Sequence, residues 1–446
     1  MTSTTIRAAI LVFCALLFPG HPIKAQGRGL SVTIEAVNRS YHNAPVSVKF
    51  PIQTEQDSSL ANGFLMLLPP KGGAGLKAQA ESDGKTITLR FILDDLPKGM
   101  KRTYRMSRIV FIKAPDRQVD VHEKMGDVEV LLDGRLFTRY ATKLAPNKPI
   151  FYPLISPEGD SMTRRWPVEP EVLPGESRDH PPHRGLWFTH GSINGIDFWS
   201  EQGTVGRTIN TGFDAIQSGW VYGSFRAKTE WRAPDQPQNS SYLTDQKSQK
   251  TKTNSISNGA LIATDTREIR VYFLPNGERI LDFNITLFPV GKALTFGDTK
   301  EGTFGMRLPD SLTVTPDKSG KITPTGHIES STGALDAGVW GKTAEWVDCW
   351  GVLNDKLQGV ALFDAPSNLR HPQTWHTRTY GLFAINPFGL HDFKGTKGRE
   401  GEYTVPLGKS LSFSYRLLFH RNDPAALHIE ESYAAFVDPP RIEVHR

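Results

Sequence analysis

One stretch of this 446-residue chain gathers chemistry densely: Asp179-His-Pro-Pro-His-Arg-Gly-Leu-Trp-Phe-Thr-His190, continuing Gly-Ser-Ile-Asn-Gly-Ile-Asp-Phe-Trp199. Three of the 13 histidines fall between positions 180 and 190. Imidazole exchanges protons near neutrality, and an adjacent carboxylate fixes its tautomer and raises its basicity. His180 and His183 therefore read as acid–base groups, with Pro181 and Pro182 stiffening the backbone between them. Asp179, Trp187, His190, Asn194, Asp197 and Trp199 read as substrate contacts. The plainer alternative is that Trp187, Phe188, Phe198 and Trp199 are core and the histidines satisfy local backbone. Solvated loops seldom concentrate so many costly residue types, which favours the functional reading.

Two further stretches offer matching chemistry. In Phe296-Gly-Asp-Thr-Lys-Glu-Gly-Thr-Phe-Gly-Met-Arg307, Asp298 and Glu301 sit on a glycine-bounded loop. They could supply a general acid and a base, with Arg307 on the outgoing strand as a substrate contact. Turn residues and a surface ion pair would give the same pattern. In His371-Pro-Gln-Thr-Trp-His-Thr-Arg-Thr-Tyr-Gly381, an extended backbone puts His376, Arg378 and Tyr380 on one face. His376 would move protons, Arg378 would stabilise developing negative charge, and Trp375 and Tyr380 would contact a sugar. His180 and His183 are close enough to share a metal, but spacing specifies no third ligand, so the expectation is catalysis without a cofactor.

The elements that must carry these residues read as strands. Forty glycines and 31 prolines punctuate the chain, which suits many short strands. Asp83-Gly84, Asp133-Gly134 and Asn276-Gly277 each lie beside period-two apolar runs, the signature of two-residue hairpin turns. One helix stands out, capped by Asp423 with Pro424 in its first turn and running to about Phe436. The class is all-β: a small N-terminal β-sandwich module over residues 27–119, then a large β domain over 120–446, built as two stacked sheets with that C-terminal helix. The polar stretch 235–259 reads as a surface insertion.

Four separated motifs, in order, resemble an exported bacterial family catalogued as methane oxygenase PmoA-like: Tyr152–Gly159, Asp179–Trp199, Gly297–Gly302 and Trp375–Gly381. The resemblance spans about residues 125–420 and leaves the N-terminal module outside. The family commonly has paired histidines where this chain has Pro182-His183, so a metal site needing both is incomplete here. Membrane monooxygenase subunits are built from spanning helices, which this chain lacks. The fold implied by the resemblance is the large β-supersandwich of galactose mutarotase-like carbohydrate enzymes. A secreted carbohydrate-active hydrolase, lyase or epimerase follows, with a carbohydrate or glycoside as substrate. The alternatives are a non-catalytic sugar-binding or surface-assembly protein and, as the label implies, a metal-dependent oxygenase.

Residues 1–25 read as a cleavable secretory signal. Arg7 precedes the apolar run Ala8–Phe18, Pro19-Gly20 breaks it, and Ala25 offers a small residue before Gln26. The run stops well short of the ~20 residues a spanning helix needs. A secreted or periplasmic protein with no membrane span is expected. Cleavage removes Arg7 and Lys24 and no acids, taking the formal charge from +5 to +3. So small and dispersed an excess gives no support to nucleic-acid binding. Cys349 alone would survive processing, and it reads as a small buried hydrophobe. Mass spectrometry of exported protein should find Gln26 at the N-terminus; a start at Met1 or His21 overturns the signal reading.

Overall fold

The computed structural model describes residues 29–109, 118–171, 173–234, 259–316, 321–421 and 429–446. The expected signal segment, the expected insertion over 235–258 and the expected helix start at Asp423-Pro424 lie outside the described residues. The N-terminal module contains β1 (Ser31–Glu35), β2 (Ala44–Pro51), α1 (Glu55–Leu60), β3 (Phe64–Leu68), β4 (Leu76–Ser82), β5 (Thr86–Leu93) and β6 (Lys101–Arg108). Its hairpin signal reads true: Asp83 Oδ1 accepts the backbone N–H groups of Lys85 and Thr86. β5 then alternates, burying Ile87, Leu89, Phe91 and Leu93.

Next come β7 (Val119–Lys124), β8 (Asp127–Leu132), β9 (Arg135–Ala141), β10 (Ile150–Leu154) and β11 (Leu186–His190). The long meander follows with β12 (Arg207–Gln217), β13 (Tyr222–Arg232), β14 (Leu261–Phe273), β15 (Arg279–Pro289), β16 (Leu294–Phe296) and β17 (Gly302–Arg307). After it lie β18 (His327–Ser330), β19 (Trp346–Leu353), β20 (Lys356–Asp364), β21 (Leu382–Ile385), α2 (Leu390–Lys394), β22 (Tyr403–Val405) and β23 (Leu411–Arg421). Helix α3 (Ile429–Val437) and β24 (Arg441–His445) close the described chain. The protein is all-β.

Two sheets make the large domain. One runs β21-β17-β11-β10-β9-β8-β7, the other β12-β13-β14-β15-β23-β20-β19-β18. Their inner faces share one apolar core, as the expectation of two stacked sheets requires. Phe283 of the second sheet shows the interdigitation: its ring meets Phe304 at 4.7 Å, Phe188 at 6.0 Å and Phe151 at 6.3 Å, all from the first. Turn chemistry fixes the registers. Asp133 and Gly134 both adopt positive φ between β8 and β9, and Gly277 does so between β14 and β15. Cys349 is free and buried.

The N-terminal module departs from its sequence outline in one respect. Its strands form one continuous sheet, β2-β5-β4-β3-β6-β1-β24, wrapped on its own apolar core. The last strand, placed by sequence with the large domain, pairs antiparallel with β1 from Ser31↔His445 to Glu35↔Arg441. The reason is an otherwise open edge: β1 pairs β6 on one side and needs a partner on the other. The module is also fastened to the large domain. Trp220 donates its indole N–H to the Ala78 carbonyl and meets Phe64 edge-on at 5.3 Å. The backbone at Gly219 runs so close to Gln79 that a Cβ there would lie 1.9 Å from its amide oxygen.

Deleting residues 440–446 should strip hydrogen-exchange protection from Ser31–Glu35 while the Phe283 core keeps its own. Unchanged protection in β1 would show that β24 is dispensable to the module.

Candidate active site

The three chemistry-bearing segments meet because their strands are neighbours. β11 pairs β17 from Leu186↔Met306 to His190↔Gly302, and β17 pairs β21 from Phe304↔Ile385 to Arg307↔Leu382. Strand alternation sends Phe188, Phe304 and Phe383 into the core and Trp187, Arg307 and Leu382 to the opposite face. Over that outer face lie three covers: the 179–185 turn, the 299–301 loop, and a hairpin in which Arg378 N–H donates to Leu382 O and Gly381, at φ +93°, makes the bend. Between them is a cavity of about 220 Å³ lined by His180, His183, Trp187, Trp199, Lys300, Glu301, Gly302, His376, Arg378, Tyr380 and Leu382.

Beneath the cavity, Asp179 organises the wall. Its Oδ1 accepts from Arg164 Nη1 (2.5 Å) and Arg307 Nη2 (2.8 Å), and its Oδ2 lies 2.9 Å from His180 Nδ1. Both arginines are buried. Burial opposes charge on Asp179, but Arg307 and Arg164 outweigh it and hold the carboxyl down at about 2. A carboxylate can only accept, so His180 carries its proton on Nδ1 and leaves Nε2 as an acceptor. The His180 backbone sits at φ +48°, a conformation non-glycine residues rarely adopt and one that clusters at functional sites. The ring lies nearly parallel to His183 (4.9 Å, 9°) and Tyr380 (5.1 Å, 4°).

His183 and His376 are held in opposite tautomers. Arg307 Nη1 lies 3.2 Å from His183 Nδ1 and can only donate, which leaves N–H on Nε2. Burial, reinforced by the Arg307 charge, pushes the His183 imidazole well below its usual range. His376 Nδ1 instead donates to the Lys300 carbonyl at 3.0 Å, leaving its Nε2 lone pair available. Burial, then the Arg378 cation, lower His376 to about 4. Trp187 and Trp199 meet edge-on at 5.2 Å as an aromatic wall. Lys148, fully buried, sits 5.5 Å from the Trp199 ring and pairs with Glu201, which also holds Arg184 of the 179–185 turn.

Of the residues singled out by sequence, His180, His183, Glu301, His376, Arg378, Trp187, Trp199 and Tyr380 line the cavity. Asp179 and Arg307 lie behind its wall. Others are elsewhere. Asp298 faces away and accepts the backbone N–H groups of His391 (2.9 Å) and Gly401 (2.8 Å), so it staples loops. His190 is buried, bonds the Gly297 carbonyl at 2.8 Å, and packs against Phe388. Asn194 bridges Ala293 O and Thr295 N, and Asp197 caps the N–H groups of Trp199 and Ser200. Trp375 is fully buried, its indole N–H given to Ala344 O and its ring stacked on Phe383, so no sugar can reach it.

Sequence reasoning missed Lys300, Arg164 and Trp340, the last with its ring centroid 4.3 Å from the Arg378 guanidinium carbon. Lys300 stands beside Glu301 in a quoted motif and was overlooked as a lining residue; Arg164 and Trp340 carry no local pattern. Among the described residues, no three His, Cys, Asp or Glu side chains are grouped to hold a metal ion. With Arg307 at its Nδ1, His183 could reach a metal only through Nε2.

The architecture is thus that of an all-β protein with two stacked sheets and a polar–aromatic cavity on an outer sheet face. Residues 127–434 match DUF6807, a family of unknown function, and the chain belongs to it. No curated protein sequence matches. Among solved structures, an α-mannosidase from Enterococcus faecalis V583 aligns at 10% identity and TM-score 0.35, covering 94% of this chain and 46% of that one. A protein of glycosyl hydrolase family 38 from Enterococcus faecalis aligns at 9% identity and TM-score 0.33, covering 94% and 47%. The chain spans about half the length of these structures.

His376 should stay neutral in an NMR titration through pH 6 and protonate only near pH 4. Because its folded pKa is depressed below the unfolded 6.5, the stability it contributes is complete above pH 6.5 and is lost as pH falls through about 4. For so buried a ring the loss is at most about 3 kcal/mol, and His376→Gln should flatten that slope in denaturant titrations across the interval.

Proposed function

We propose that this is an exported carbohydrate-active enzyme that works by proton transfer at carbon, of the lyase or epimerase type. The observation that carries the reading is the pair of imidazoles, His180 and His376, in one cavity, each with Nδ1–H committed to an oxygen and Nε2 left as a base. His183, in the opposite tautomer, supplies an N–H donor in the same space. Hydrolysis by two carboxyl groups needs a second acid about 5–10 Å from the first. Asp298 is turned away on loop backbone, and Glu301 is the cavity's lining carboxylate.

The lining also supports a sugar as ligand. Trp199 and Tyr380 contribute aromatic surface for ring C–H groups, while the imidazoles, Glu301, Lys300 and Arg378 offer partners to hydroxyls. At about 220 Å³ the cavity falls below the range of roughly 300–1,000 Å³ that takes drug-sized ligands, and so suits a single sugar unit. Export rests on Arg7 and the Ala8–Phe18 run. No helix among the described residues is long and apolar enough to cross a membrane.

The test is incubation with a panel of oligosaccharides and glycosides in D2O, followed by product detection and mass analysis of recovered sugar. Deuterium uptake at carbon or a rearranged product is expected. His376→Ala should lower kcat by about 10²–10⁴-fold while sugar affinity persists. Binding without turnover or exchange for every sugar would make the protein a sugar-binding module. Oxidised products formed only with added copper or iron would favour an oxygenase.

A further inference from the structure

Arg378 is conspicuous among the cations around the cavity. Arg164 and Arg307 share Asp179, and Lys300 lies 3.6 Å from both Glu301 and Asp392. Arg378 has no carboxylate within ion-pair distance among the described residues, and its buried Nε–H has no hydrogen-bond partner. Its guanidinium carbon lies over the Trp340 indole, 4.3 Å from the ring centroid, a contact that holds the group without neutralising it. A held, unpartnered guanidinium lining a cavity fits an anion that arrives with the ligand. We propose that the cavity takes a uronate, a sugar bearing a ring carboxylate, and that Arg378 receives that carboxylate in a two-pronged contact.

This assignment rests on the proton-transfer reading of the same cavity and narrows its substrate. It also supplies what that chemistry needs. A ring C–H beside a carboxylate is acidified because the electron pair left behind can enter the carboxyl group. An imidazole Nε2 takes the proton, and the C–H pair becomes the C=C bond of an enediolate whose added charge lies against Arg378. Returning the proton to the opposite face gives the epimer. Alternatively the pair drives out the β-oxygen substituent, which takes a proton as it leaves, and an unsaturated uronate remains. Either course balances without an oxidant or reductant.

The probes are methyl galacturonoside and methyl glucuronoside as free acids, each against its neutral methyl ester, with galactose 6-sulfate as a second anion. Calorimetry on the full-length protein should show each acid binding about 10–100-fold tighter than its ester, the range for a hydrogen bond to a charged group. Arg378→Gln should erase that preference, and Arg378→Lys should keep part of it through the charge alone. Arg378→Gln should also raise the His376 titration midpoint, a readout that requires a folded cavity. Equal affinity for acid and ester, or a preference that survives Arg378→Gln, overturns the assignment. So does sulfate binding as tight as uronate binding without deuterium exchange into either acid. Exchange into neutral sugars alone would overturn the uronate assignment and leave the proton-transfer reading standing. Failure of every sugar to bind would remove both.

Discussion

Two guanidinium groups buried under one cavity need a negative partner, and Asp179 is the carboxylate that bonds both. Burial of an unpaired arginine costs several kcal/mol, so Arg164 and Arg307 are tolerable there because Asp179 stays ionised between them. The same carboxylate has a second oxygen left over, and His180 uses it. One side chain therefore settles three others. Arg307, fixed by Asp179, decides the tautomer of His183, and His180 is aimed by the bond to Oδ2. Replacing Asp179 with a neutral residue would leave Asp310 as the nearby carboxylate for both buried arginines, and the wall would have to rearrange.

The field inside the cavity follows from this arrangement. His183 feels Arg307 and Arg164, and His376 feels Arg378 and Lys300, so positive charge adds to burial in keeping both rings neutral. Neutral at ordinary pH, His376 keeps its Nε2 lone pair in reserve, while His183 presents an N–H. His180, half exposed, has Nδ1 held 2.9 Å from the Asp179 carboxylate. The site thus separates one imidazole that faces solvent from two that are shielded, a division that residue type alone does not impose.

Much of this was legible in the chain. The hairpin turns were readable because Asp-Gly and Asn-Gly tolerate positive φ, and the structure puts positive φ at Asp133, Gly134 and Gly277. The common face of His376, Arg378 and Tyr380 was readable because an extended backbone alternates. The meeting of three distant segments was readable from the unusual density of His, Asp, Arg and Trp in each. What escaped notice depended on long-range packing. Asp298 and Glu301 share a loop, and only the placement of His391 and Gly401 beside the former turns it away. Trp375 and Trp187 look alike in sequence, yet one is covered by Phe383 and Ala344 while the other faces the cavity. Arg164 stands beside Arg165, and nothing local says which of the two is buried.

The pairing of β24 with β1 ties the beginning of the described chain to its end. During synthesis β1 through β6 emerge long before their seventh strand, and the whole large domain is made in between. The early strands must wait with one edge unsatisfied, and the sheet is completed only when residues 441–445 have been made. A chain interrupted anywhere before Arg441 therefore carries an unfinished sheet edge. Formation of the β1–β6 sheet in full thus waits on a strand placed about 330 residues further along the chain.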